Sequence, residues 1–107
     1  MRPERSFGST ELRCQRSISG VQFGWNPKKH GRNIRERGYG FDVAALIFEG
    51  RTVEWQDTRH DYGETRMIAV GKVENDFYTV VYTDRGDLRW IIASWPANRK
   101  ERKRWLA

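Results

Sequence analysis

From Arg51 to Pro96 the apolar residues recur at every second position, in four runs separated by polar turns. A period of two selects extended chain, because successive side chains of a strand point to opposite faces. In "RTVEWQ" Val53 and Trp55 share a face, and in "RMIAVGKV" Ile68 and Val70 do. "FYTVVYTD" is apolar on both sides, the mark of a central strand, and "DLRWIIAS" resembles it. The links "ENDF" and "DRGD" are short and polar, so the last three strands are expected to form an antiparallel meander that Pro96 terminates.

Ahead of this block the period is mixed. "VQFGW" alternates Val21, Phe23 and Trp25 as a short strand. "NPKKHGRNIRERG" reads as a helix with Asn26 as N-cap, Pro27 at its first position and Gly38 as C-cap. Gly31 inside it costs about 1 kcal/mol relative to alanine. Ile34 is almost its sole apolar residue, so the helix is expected to lie on the surface with Ile34 as its anchor. "FDVAALIFEG" places Phe41, Ala44, Ala45 and Phe48 at helical spacing, a second helix to pack on the sheet. "ANRKERKRWLA" reads as a C-terminal helix anchored by Trp105 and Leu106. Residues 1–20 are rich in Arg, Ser and Gly without apolar period and are expected to be a flexible leader or a misplaced start, with one domain over 21–107. The resulting fold class is α+β: an antiparallel β-sheet with two N-terminal helices and a C-terminal helix, the helices on one side.

A chain of 107 residues supports one modest core, which disfavours a large cofactor-binding enzyme. Its 20 Lys+Arg against 14 Asp+Glu give a net charge of +6, a surface suited to polyanions. The charge is concentrated: residues 25–37 hold five basic side chains against one acid, and so do residues 97–107. Each cluster is either the solvated face of a terminal helix or part of one surface for a phosphate backbone. The single cysteine, Cys14, allows neither a disulfide framework nor a zinc cluster, and a reducing, cytoplasmic setting is expected. No apolar run approaches the roughly 20 residues of a membrane helix, so no membrane partner is expected.

The stretch "DTRHDYGETR", Asp57 to Arg66, holds the chemistry. Metal-free RNA cleavage needs a base near the 2′-hydroxyl, an acid near the leaving oxygen and cations around the charged phosphorane. His60 suits acid or base work, Glu64 suits a base or the orienting of an arginine, and Arg66 suits a phosphate clamp. Arg85 and Arg89 add cations, and together these five form the candidate catalytic set. Lys28, Lys29, Arg32 and Arg99 are candidate RNA contacts from the basic helices, and Tyr62 and Trp95 candidate stacking partners for bases. The structural alternative is a hydrogen-bond and ion-pair network of Asp57, His60, Glu64 and Arg66 that shapes a long turn. A metal site from Asp57, His60, Asp61 and Glu64 has a single imidazole and is disfavoured, and no phosphate-binding or dinucleotide glycine motif is present, so neither metal nor cofactor is expected. The other tryptophans and large aromatics, Trp25, Trp55, Phe77, Tyr82 and Trp90, are expected in the core.

Several blocks in order, "FGWNPKK" with Asn33, "GF" with "IFE", "D.RH..GE.R", "VVYTDRGD" and "A.RKER", resemble the BrnT family of toxins of bacterial type II toxin–antitoxin systems, over Phe23 to about Arg104. The resemblance implies a RelE-like fold and a metal-independent endoribonuclease that blocks translation. It also implies a BrnA-like ribbon-helix-helix antitoxin as partner, with operator DNA reached through that antitoxin alone. Two positions depart from the family's pattern: Arg37 stands where a histidine is usual, and Trp95 where an arginine is usual. Beside this reading stand two others. One is a protein of the same fold with weakened catalysis that works in an antitoxin-dependent repressor complex, and the other is a free-standing RNA-binding module.

Overall fold

The structure, a computed structural model, describes residues 16–18 and 21–107. Its elements in chain order are β1 (Arg16–Ile18), β2 (Val21–Trp25), α1 (Pro27–Arg37), α2 (Phe41–Ala44), a 3₁₀ helix (Ala45–Glu49), β3 (Thr52–Gln56), β4 (Met67–Val73), β5 (Asp76–Arg85), β6 (Leu88–Pro96) and α3 (Arg99–Leu106). All six strands form one sheet in the order β1-β2-β6-β5-β4-β3. The meander β4–β5–β6 is as the periodicity predicts, with β5 central. Both of its turns have two residues, Glu74-Asn75 and Gly86-Asp87, and Glu74 and Gly86 take the positive φ values of 56° and 61° that tight hairpins require.

Four expectations need correction. The sheet is mixed rather than antiparallel, because β2 runs parallel to β6, with Phe23 opposite Arg89 and Trp25 opposite Ile91. The helices occupy both faces. Residues directly opposite in a ladder share a face. Thus Tyr78, Val80 and Tyr82 of β5, with Pro96, Ser94 and Ile91 of β6, form one face, and Thr79, Val81 and Thr83, with Trp95, Ala93 and Trp90, form the other. The first face meets Phe41, Ala44, Ala45 and Ile47 in the main core. The second carries α3, where Thr79 donates to Glu101 and Phe77 packs edge-on against Trp105. The second helix is also split, one α turn followed by the 3₁₀ helix, because the chain must draw tight over β4: Gly71 lets Ile47 approach so closely that a Cβ there would lie 2.6 Å from Ile47 Cβ. Finally, Arg16–Ile18 pairs antiparallel with β2, so the sheet begins before Val21, while the rest of the expected leader, Cys14 included, lies outside the described residues.

Helix α1 is capped as its sequence implies. Asn26 Oδ1 accepts from Lys28 and Lys29 N–H, and Gly38, at φ 86°, returns its N–H to the Ile34 carbonyl. Its anchor is not Ile34, which is 47% exposed. His30 stacks on Trp25 with ring centroids 5.5 Å apart and accepts the Phe41 N–H at Nδ1 (3.0 Å). Buried Asn33 donates to the Tyr39 carbonyl (2.9 Å). Tyr39 hydroxyl then meets Ser94 Oγ at 3.0 Å, and Ser94 donates to the Thr79 carbonyl (2.9 Å), joining α1 to β6 and β5. On the other face α3 is held by a capping box of Asn98 and Glu101, and Trp105 Nε1–H donates to the Arg51 carbonyl (2.9 Å).

Candidate functional site

The loop between β3 and β4 is closed at its base by Asp57 N–H donating to the Arg66 carbonyl (2.8 Å). Asp57 is buried and accepts two bonds from the Arg59 guanidinium, both at 2.8 Å, and one from the Tyr62 hydroxyl (3.2 Å). The Arg59 bonds hold its carboxyl well below the usual carboxylate range, against the opposing effect of burial. Asp61 turns inward on the loop, accepting the Gly63 N–H (3.1 Å) where Gly63 takes φ 72°. These two acids therefore brace the loop, as the structural alternative holds for Asp57.

Glu64 does something else. Its carboxylate lies 3.6 Å from Arg66 Nε and 3.4 Å from an Arg85 guanidinium nitrogen, so the loop and the β5–β6 hairpin bring two arginines to one acid. Arg66 lies over the Tyr62 ring (4.0 Å to centroid), and His60 meets the same ring edge-on (5.6 Å). Arg85 lies over Trp90 at 5.5 Å. The loop is held against this face by Thr83 Oγ1–H donating to the Thr65 carbonyl (2.8 Å). Among the five candidate catalytic residues, His60, Glu64, Arg66 and Arg85 are thus linked through Tyr62 and Glu64.

Arg89 is not brought to them. It pairs with Asp84 (2.8 and 3.0 Å) and lies over Tyr82 at 4.1 Å and Phe48 at 4.9 Å, on the face of the main core. Tyr82 hydroxyl there donates to Glu54, and burial first and Glu54 second push that phenol's pKa well up, so it remains a donor. Arg89 belongs to this bracing cluster.

The candidate RNA contacts collect in a different place. β2 covers β6 only as far as Ile91, and beyond it the edge of β6 is open toward α1. A groove of about 320 Å³ lies there, with Lys29, Arg32, Glu36 and Arg37 on its α1 side, Trp95 on its β6 side, and buried Asn33 and Ser94 in its floor. Lys28 lies on the neighbouring turn of α1, with Lys29 and Arg32, in a second hollow of the same helix. Trp95 is half-buried, its indole N–H directed at the Glu101 carboxylate (3.2 and 3.3 Å). Arg99 is exposed at the first turn of α3. The two basic helices lie on opposite faces of the sheet, yet Arg37 of α1 and Arg102 of α3 line one hollow beside Pro96. The two departures from the family pattern, Arg37 and Trp95, face the same groove. Sequence reasoning left His30, Asn33, Ser94 and Arg102 without a role. The signal for the first two was their three-residue spacing on α1, which puts them on one helix face.

Among the described residues no group of three or more His, Cys, Asp or Glu side chains converges as a metal site would, and no helix is long and apolar enough to cross a membrane. Curated proteins yield no match to the chain. The family model described as "Ribonuclease toxin, BrnT, of type II toxin-antitoxin system" matches residues 25–101, a span that contains the loop cluster, the groove and the sheet between them. On that match the chain belongs to the BrnT family of ribonuclease toxins of type II toxin–antitoxin systems.

Proposed function

We propose that this chain is an endoribonuclease that cuts RNA without a metal ion, blocks translation in the cytoplasm, and is neutralised by a BrnA-like ribbon-helix-helix antitoxin through which alone it reaches operator DNA. The convergence of Arg66 and Arg85 on Glu64 beside Tyr62 and His60 carries this reading. A carboxylate shared by two guanidiniums is held in place, and both arginines keep N–H groups free of it for a phosphate. In the reaction, the substrate's 2′-oxygen gives up its proton to Glu64 or His60 and attacks the adjacent phosphorus. The 5′-oxygen leaves and takes a proton from His60 where Glu64 is the base, or from water where His60 is, giving a 2′,3′-cyclic phosphate and a 5′-hydroxyl. Arg66 and Arg85 offset the charge that grows on the phosphorane. The basic surface draws the RNA in, and an antitoxin of opposite charge would associate rapidly by the same field.

The test is cleavage of a labelled RNA by the purified chain in EDTA, with the cyclic end group identified. Cleavage is expected to persist, and Glu64→Gln or Arg85→Ala to reduce it by at least about tenfold, which corresponds to roughly 1.4 kcal/mol of transition-state stabilisation. Intact RNA from folded protein would favour the repressor-complex reading. Unchanged activity in both variants would remove the loop from the active site.

A further inference from the structure

We propose that single-stranded RNA lies along β6, with one base stacked at Trp95 and its phosphate held in the α1–β6 groove by Arg32 and Arg37, while the cut occurs at the far end of the strand. The proposal rests on the ribonuclease reading and names where its substrate lies.

The register supplies the argument. Trp90, Ala93 and Trp95 stand opposite Thr83, Val81 and Thr79, alternate residues of β5, so the two tryptophans share a face. Both are half-buried, and they mark the two ends of the strand: Trp90 lies under Arg85 of the loop cluster, and Trp95 borders the groove. Arg85 is paired with Leu88, seven positions before Trp95, a separation of roughly 23 Å at about 3.3 Å per residue. A single nucleotide does not bridge that distance, and an extended oligonucleotide does. Sheets that carry aromatic side chains bind single strands in this way, since every base offers a π-face whatever its sequence. The groove adds charge where the strand would need it. Arg32 and Arg37 are exposed on one rim of α1, no hydrogen bond or ion pair to a carboxylate is found for either among the described residues, and buried Asn33 and Ser94 set polar groups beside Phe41 and Ala93 in the lining.

The probe is a fluorescent twelve-nucleotide RNA with 2′-O-methyl groups throughout, which binds but has no free 2′-hydroxyl to attack phosphorus, followed by anisotropy over a salt series. Trp95→Leu is expected to weaken binding by about fivefold or more, the lower bound for removal of a base stack. Trp95→Phe keeps a ring and is expected to bind within about twofold of the original. Arg32→Gln with Arg37→Gln should lower the slope of log K against log salt by roughly 1.4, about 0.7 for each phosphate no longer neutralised. A trinucleotide of the same chemistry should bind weakly, with little response to one or other end being altered. Both arginines are exposed, so their variants remain folded controls if Trp95→Leu does not fold. Affinity and salt slope that are unchanged in the arginine pair would overturn the proposal. So would groove variants that lose affinity for poly-glutamate while keeping it for RNA, because the groove would then serve an acidic protein. Groove-dependent binding without cleavage of unmodified RNA would overturn the ribonuclease reading and with it the placement of the cut, while upholding the seating of the strand at Trp95 and the groove, and cleavage with groove-independent binding would overturn that seating alone.

Discussion

Gly40→Ala tests how α1, the helix that carries the groove's cations, is held to the fold. Gly40 has φ −98° and ψ 178°, backbone that any residue adopts, so its need for glycine is purely one of space. A Cβ built there lies 2.3 Å from His30 Cε1, 2.8 Å from His30 Nδ1 and 2.7 Å from Asp42 Oδ1. The Asp42 carboxylate is exposed and can swing away, but the imidazole cannot move freely. It is stacked on Trp25 at an interplanar angle of 13°, meets Phe41 edge-on, and accepts the Phe41 N–H. If the ring stays, overpacking strain costs about 1–3 kcal/mol. If it leaves, the Phe41 amide loses its acceptor, at a cost of about 1–3 kcal/mol, and the stacking on Trp25 goes with it. The chain takes the cheaper of the two routes, so a net loss of about 1–3 kcal/mol follows, and at about 4–8 °C per kcal/mol for a domain of this size the Tm should fall by roughly 4–24 °C.

The decisive measurement is a double-mutant cycle. His30→Ala alone removes the ring and orphans the amide, and it should cost about as much as Gly40→Ala. With the ring gone the methyl added by Gly40→Ala has nothing rigid to strike, so the double variant should unfold close to His30→Ala alone, a coupling of at least about 1 kcal/mol. Urea and thermal unfolding followed by tryptophan fluorescence give all four values. Additive effects, or a Gly40→Ala protein that melts within about 1–2 °C of the original, would refute the seating of His30 against Gly40.

Three further outcomes are expected. Gly71→Ala brings a Cβ to 2.6 Å from Ile47 Cβ and 3.2 Å from Thr52 Cγ2, so overpacking of about 1–3 kcal/mol should appear in urea unfolding, and an unchanged midpoint would contradict the draw of the 3₁₀ helix onto β4. Glu101 joins the capping box, the Thr79 hydroxyl and the Trp95 indole, so Glu101→Ala should lower the Tm and raise hydrogen exchange in α3 above that in α1, with loss of the cap worth about 0.5–2 kcal/mol. Asp57 has a lowered pKa in the folded chain, so through the acid range the unfolded chain binds more protons and stability rises with pH. That contribution is complete at neutral pH and drains as pH falls below about 4, the ordinary carboxylate value. Asp57→Asn should therefore unfold more readily at pH 7 yet lose less stability between pH 5 and pH 2, as measured by urea midpoints, and parallel curves for the two proteins would contradict the assignment.

What the sequence made legible is local. The Asn26 and Gly38 caps, the four runs after Arg51 and the two hairpin turns each depend on a few neighbouring residues, and the structure has them where the periodicity puts them. The parallel pairing of β2 with β6 joins residues more than sixty positions apart, and α3 is placed on the face opposite α1 by partners such as Thr79 and Arg51, 22 and 54 positions from the residues they meet; no local pattern exists for either. His30 and Asn33 escaped for a related reason: a polar residue on a basic helix looks solvated until its partners, Trp25, Phe41 and Tyr39, are brought round by the fold. Arg89 is different, because its separation from Arg85 was within reach of the sequence. Once "DRGD" is a two-residue turn at Gly86-Asp87, Arg85 pairs with Leu88 and Asp84 with Arg89. Adjacent residues of a strand face opposite ways, so Arg85 and Arg89, four apart in the chain, are on opposite sides of the sheet. Two cations so placed cannot hold the same phosphate. Parity along the strand, rather than nearness in sequence, decides which arginines can act together, and by that rule Arg85 remains with Glu64 and Trp90 while Arg89 braces Asp84 and Tyr82.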